Sequence, residues 1–184
     1  MKRSEINAAL AEAQAAFERH GWTLPPNPRW DVTDFGLGDF ERFGLVALNL
    51  AEQPEYCEKL MYSRDRQETP AHCHAAKKED IISRSGCLAI QILTDGKPVR
   101  LQINGEWRNF GDEETIRLES GERITLLPGV RHRFWADGPY VVIGEVSTAN
   151  DDTNDNFFDD PAVGRFCPVE EDEPARVRLV SDTQ

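Results

Sequence analysis

From residue 43 to residue 146 the chain is a succession of short apolar runs, each ended by a turn, and this feature constrains its fold more than any other. The runs occupy 43–50, 57–63, 87–93, 99–103, 115–118, 123–127, 133–135 and 140–146. They suit strands and are too short for helices. Asp95-Gly96 and Asn104-Gly105 mark hairpins, because a type I′ turn needs positive φ at both central residues and these residue types tolerate it. Strands at such regular spacing predict an all-β antiparallel sandwich or barrel.

Ahead of this region Ile6, Leu10, Ala13 and Phe17 recur at helical spacing, Ser4 is a candidate N-cap, and Gly21 offers a stop. The spacing predicts an amphipathic helix over 5–20. His20, near its end, reads as a cation at the negative end of the helix dipole. Pro25, Pro26 and Pro28 cannot continue the helix and impose an extended connector. The expected plan is a helix and extended arm over 1–42, a barrel over 43–149 and an acidic tail over 150–184, all in one domain, the default for 184 residues. The tail opens Asn150-Asp151-Asp152-Thr153-Asn154-Asp155-Asn156, without the glycine and closing glutamate of an EF-hand loop. Phe157, Phe158 and Phe166 are apolar anchors that should dock it on the barrel.

A formal net charge of -12, from 33 acidic and 21 basic residues, argues against nucleic acid and anionic membrane as partners. The apolar runs fall far short of a spanning helix, and Met1-Lys2-Arg3-Ser4-Glu5 leads into a charged segment with no apolar signal region. Cys57, Cys73, Cys87 and Cys167 form no CxxC pair and read as free thiols of a reducing compartment. These features point to the cytoplasm.

The chemistry is carried by histidine. His72-Cys73-His74 in an extended stretch sends both imidazoles to one face and Cys73 to the other. After the bend Ala75-Ala76-Lys77-Lys78 the chain can return along Glu79-Asp80-Ile81-Ile82, bringing the Glu79 carboxylate beside them. His132 follows the turn Pro128-Gly129-Val130-Arg131 and enters another strand. Three imidazoles and a carboxylate suit Mn, Fe, Co, Ni or Zn, and the lack of thiolates disfavours a closed structural zinc site. On an octahedral ion these four ligands leave two positions, enough for a bidentate substrate. Three of the chain's 4 histidines fall on these positions, so buried core histidines are the weaker account. The spacing HxH, Glu79, Gly86 and then Pro-Gly-x-x-His resembles the two signature motifs of the cupin superfamily, although Pro128 stands one place later than usual after Gly121. That resemblance implies a double-stranded β-barrel (jelly roll) with the metal in its mouth.

The flanks narrow the resemblance. Gln67-x-Thr69-Pro70-x-His72-x-His74-x-x-Lys77-x-Glu79-Asp80-Ile81-Ile82 is similar to the metal motif of the D-lyxose isomerase family. Further matches are Trp30 to Gly36, His132-Arg133-Phe134-Trp135, Gly144-Glu145-Val146-Ser147, Asn150-Asp151-Asp152, Asp155-Asn156, Arg165-Phe166 and Glu170-Glu171-Asp172-Glu173. Ala75 stands where an aromatic is common and Ser85 where glycine is common, departures that bear on pocket shape. The resemblance implies aldose-ketose isomerisation, D-lyxose to D-xylulose and D-mannose to D-fructose, with Mn2+ the expected ion and a homodimer the expected assembly. Proton transfer would run through a metal-stabilised cis-enediolate. Lys77 matches the family's lysine between the ligands and is the first candidate base, its neutral form favoured by the nearby cation. Glu170 is the favoured partner in proton transfer, Glu145 a binder of sugar hydroxyls, and Arg165 a residue that orients the tail or a sugar oxygen. Two rivals share the ligand set: an iron-dependent cupin dioxygenase, active only with iron and oxygen, and a non-catalytic sugar-binding cupin.

Overall fold

A computed structural model of the chain describes residues 1–151, 153–164 and 168–183. The N-terminal helix is Arg3–Arg19 (α1). Arg29–Thr33 (β1), the single-turn helix Phe40–Phe43 (α2), Leu45–Glu52 (β2), Tyr56–Arg64 (β3), Glu68–Cys73 (β4) and Glu79–Ser85 (β5) follow. Next come Leu88–Leu93 (β6), Val99–Ile103 (β7), Glu106–Phe110 (β8), Glu114–Leu118 (β9), Arg123–Leu126 (β10), Arg131–Ala136 (β11), Tyr140–Thr148 (β12) and Phe157–Phe158 (β13). They form an eight-stranded sheet in the order β1-β2-β3-β12-β5-β10-β7-β8 and a five-stranded sheet in the order β13-β4-β11-β6-β9.

The two sheets enclose one core, with Met61, Ile81, Leu101, Ile124 and Ile143 from the larger meeting Leu88, Ile90, Ile92, Leu118 and Phe134 from the smaller. This is the double-stranded barrel expected for a cupin. The outer face of the larger sheet carries a second core: Trp30, Val46, Leu48, Leu60, Tyr62 and Val142 pack under Ile6, Leu10, Ala13 and Phe17 of α1. Phe17 stacks on Trp30 with ring centroids 6.0 Å apart. Because Phe17 is wholly buried, Phe17→Ala is expected to cost about 3–5 kcal/mol. The urea midpoint should fall while activity per folded molecule holds, since the ring lies on the face opposite the barrel interior.

Every predicted strand exists, and the turns hold one surprise. Asn104-Gly105, with φ of 53° and 84°, closes the β7-β8 hairpin, pairing Ile103 with Glu106. Asp95-Gly96 has the same left-handed pair, 51° and 78°, yet it joins β6 to β7, which lie in different sheets. The dipeptide specifies the reversal but not which strand is met beyond it. Three strands escaped the pattern: β8, exposed on all but Phe110, β1, inside the segment expected to be an arm, and the two-residue β13 of the tail.

The start of α1 differs from expectation. Its N-cap is Lys2, whose N–H is accepted by the Glu5 carboxylate at 2.7 Å, and Ser4 instead donates from N–H and hydroxyl to Asp172, at 2.9 and 2.6 Å. The acidic cluster supplies this partner and others: Glu171 accepts from the buried Arg3 guanidinium at 2.6 and 2.9 Å, and Glu173 from Asn7 at 2.5 Å. Negative charge thus sits at the positive end of the helix dipole. The tail docks as expected through β13, where Phe158 meets Phe35 edge-on at 5.8 Å, but Phe157 stays half exposed. Phe166 and Cys167 lie outside the described residues.

Candidate functional site

The site forms where the chain crosses from one sheet to the other. In the smaller sheet His72 of β4 stands opposite His132 of β11, ring centroids 4.3 Å apart. The β4 register slips here: His132 pairs with His72 but Phe134 with Thr69, so β4 carries one extra residue. This bulge, at Pro70-Ala71, lets Thr69 and His72 both face inward, which strict alternation forbids. His74 lies one residue past β4, its ring 5.2 Å from that of His72. Lys77 turns inward from the following bend, Glu79 opens β5, and β12 places Glu145 opposite Ile81 in the larger sheet. His72, His74, Lys77, Glu79, His132 and Glu145 are all buried.

Each imidazole is oriented by a main-chain carbonyl. His72 Nδ1 lies 2.8 Å from Pro70 O, His74 Nδ1 2.5 Å from Asp155 O, and His132 Nδ1 3.0 Å from Val130 O. A carbonyl only accepts, so Nδ1 carries the proton in all three and Nε2 presents a lone pair. Burial pushes the His72 and His132 imidazoles below the usual histidine range, which keeps those lone pairs available. The Glu79 carboxylate lies 3.3 Å from His132 Nε2 and 3.6 Å from His74 Nε2, measured to Oε1.

Its other oxygen belongs to a row of alternating charge. Lys77 Nζ is 2.8 Å from Glu79 Oε2 and 2.9 Å from Glu145 Oε1, and Lys59 Nζ lies 4.0 Å beyond. Burial opposes the Lys77 charge, but Glu145 and Glu79 outweigh it and hold an ammonium. Burial likewise opposes ionisation of Glu145, and Lys59 with Lys77 overcomes it, leaving the carboxyl well below the usual range. Two carboxylates within hydrogen-bond reach of Nζ oppose the neutral Lys77 amine expected beside a bound cation.

A cavity of about 390 Å³ opens over these groups, walled by Phe35, Met61, Phe134 and Phe158 and edged by Asp31, Thr33, Lys59, Thr153 and Asn156. Its volume suits a small polar metabolite. Glu170 does not reach it. That residue is exposed and lines a different recess, because its main chain bridges Lys2, accepting from Arg3 N–H at 2.9 Å and donating to Met1 O at 3.0 Å. Arg165 lies outside the described residues. Neither family departure touches the cavity: Ala75 is exposed in the bend, and Ser85 Oγ lies 3.0 Å from His20 Nε2. The sequence did not single out Lys59, and it named Asp31, Thr33 and Asn156 only within family matches, without a role. Polar residues alternating with Trp30 and Val32 signal a strand with a polar inner face, and Lys59 shares the inward parity of Met61 on β3.

Among the described residues no group of three or more His, Cys, Asp or Glu side chains stands at the spacing of a formed cation cage. The donor set nevertheless fits a divalent ion. His132 Nε2 and Glu79 Oε1 are buried with no hydrogen-bond partner, and they face each other as two acceptors. Such a pair is unfavourable unless a cation lies between them.

Fold and site together define a cupin whose barrel interior joins imidazoles, carboxylates and a lysine above a sugar-sized cavity. The profile of the D-lyxose isomerase family matches residues 27–183. A D-lyxose/D-mannose isomerase of Escherichia coli O157:H7 is 34% identical, the match covering 99% of this chain and 98% of that protein. One from Serratia proteamaculans is 36% identical over 95% and 94%. The ligand-free structure of Cellulomonas parahominis L-ribose isomerase superposes with a TM-score of 0.70 at 18% identity, covering 89% of this chain and 94% of that one, a likeness of fold. The chain belongs to the D-lyxose isomerase family and is an enzyme, an aldose-ketose isomerase.

Proposed function

We propose that the chain interconverts D-lyxose with D-xylulose, and D-mannose with D-fructose, at a divalent ion held by His72, His74, Glu79 and His132. The observation that carries this is the buried, unpartnered His132 Nε2 facing Glu79 Oε1 at 3.3 Å. When bound, the ion supplies Lewis acidity to adjacent sugar oxygens; Mn2+ is the expected ion, and Co2+, Fe2+, Ni2+ and Zn2+ suit the same donors. The residues then divide the proton work. Going from aldose to ketose, one hydrogen passes from C2 to C1 and one from O2 to O1. The ionised Glu145 carboxylate takes the C2 proton and returns it to C1. Lys77, an ammonium 2.9 Å away, gives a proton to O1 and recovers one from O2, offsetting the charge of the enediolate meanwhile. The aromatic walls exclude water, and Asp31, Lys59 and Asn156 meet the remaining hydroxyls.

In the same proposal residues 1–184 form one cupin unit, homodimeric by family resemblance, in a reducing cytoplasm. Cys57, Cys73 and Cys87 are free thiols, which supports the compartment. The deciding assay is oxygen-free turnover of the Mn2+-reconstituted chain with D-lyxose, D-mannose and D-xylose. Ketose should form from the first two. Absence of ketose from every sugar, or a requirement for iron and oxygen, would overturn the proposal.

A further inference from the structure

Asp155 holds the bend between the candidate ligands from outside the barrel. Its main-chain oxygen lies 2.5 Å from His74 Nδ1. Its carboxylate accepts from three successive amides: Ala75 N at 2.6 Å, Ala76 N at 3.0 Å and Lys77 N at 2.9 Å. Consecutive N–H groups turned to one point form an anion-binding concavity, here filled by a side chain. The two residues that bound this concavity are His74 and Lys77, one a candidate ligand and the other the centre of the charge row.

The segment carrying Asp155 is itself tied to the site. Asp155 N donates to Asp151 O at 2.8 Å, Phe158 pairs with His72 across β13 and β4, and Asp159 N donates to Ala71 O at 2.9 Å. Asn156, the next residue, lines the cavity with a buried Oδ1 that has no partner. One short stretch therefore fixes the proton position on His74, the path of the bend to Lys77 and an amide facing the cavity.

We infer that Asp155 is a positioning residue: by filling the amide concavity of residues 75–77 it aims the His74 Nε2 lone pair and Lys77 Nζ into the cavity. The inference rests on the function proposed above. Ala75 and Ala76 are exposed, so without the carboxylate water can satisfy their amides, and what is lost is geometry. Partners that orient a ligand from behind are typically worth about 10- to 100-fold in metal affinity or activity.

The test compares wild type with Asp155→Ala and Asp155→Asn in the full chain. Mn2+ affinity is read by calorimetry, exchange of amides 75–77 by NMR, the His74 tautomer by 15N shifts, and kcat and KM with D-lyxose. Asp155→Ala should speed exchange of the three amides, mix the His74 tautomers, weaken Mn2+ binding about 10- to 100-fold and lower kcat more than it raises KM. Asp155→Asn, which keeps one acceptor oxygen, should fall between; it carries the comparison if the alanine variant does not fold. Faster exchange with Mn2+ affinity and kcat within about twofold of wild type would reduce Asp155 to a loop tether and overturn the inference. A wild type that turns over lyxose without any divalent ion removes the cation from the proposed function. In that case a fall in kcat with mixed His74 tautomers still supports positioning by Asp155, and an unchanged kcat overturns it.

Discussion

Lys77→Met is expected to cut kcat by about 100- to 10,000-fold, the range for removing a positioned acid-base group. Methionine keeps much of the length and apolar stem but removes the charge that separates Glu79 from Glu145, each within 2.9 Å of Nζ. The effect extends to stability, because breaking a buried ion pair by removing one partner costs about 3–5 kcal/mol. The sign of its pH dependence follows from the carboxylates. In the wild type the Glu145 and Glu79 carboxyls are held below their usual range, so they stabilise the fold above the unfolded carboxyl pKa and lose that contribution as pH falls. Without the ammonium, burial and mutual repulsion raise them, and the contribution reverses, weakening the fold as pH rises. The gap between variant and wild type should therefore widen from pH 5 to pH 8 in urea titrations of the chelated protein. A gap that narrows would contradict the charge row, and unchanged turnover would remove Lys77 from the chemistry.

His132→Ala should abolish the response to metal. If the wild type is saturated at about 1,000 times Kd, the ion adds about 4 kcal/mol to stability. For a chain of this size that corresponds to a rise in Tm of about 8–16 °C. The variant loses one of the two atoms that face each other without a partner, so adding Mn2+ should leave its Tm within about 2 °C and its turnover at background. His20→Ala is the control: that imidazole sits at the end of α1 against Tyr140 Oη at 2.9 Å, and metal response should be unchanged. Equal Tm shifts in wild type and His132→Ala would place the ion elsewhere or nowhere.

Much of this architecture could be read from local pattern. Helix spacing gave α1 to within two residues of its ends, and alternation with turn residues gave the eight core strands. The HxH pair also followed from period-two geometry, with both imidazoles buried inside and Cys73 only partly buried beyond them. Local pattern failed where the partner was distant. Ser4 has a good capping side chain, yet Asp172, 168 residues away, takes it. Glu170 and Glu145 are both carboxylates in family motifs, and only the fold separates them: β12 aims Glu145 into the barrel, while a bridge to Lys2 carries Glu170 to another face.

The sequence by itself determined the residue types at the site, the strand periodicity and the class of chemistry, because each depends on neighbours a few positions apart. Tertiary structure decided which carboxylates meet Lys77, which face Glu145 and Glu170 each reach, and the contacts of Asp155 with residues 74–77. Each of those depends on Coulomb and hydrogen-bond energies acting across gaps of about 3 Å between groups that are as many as 81 positions apart in the chain.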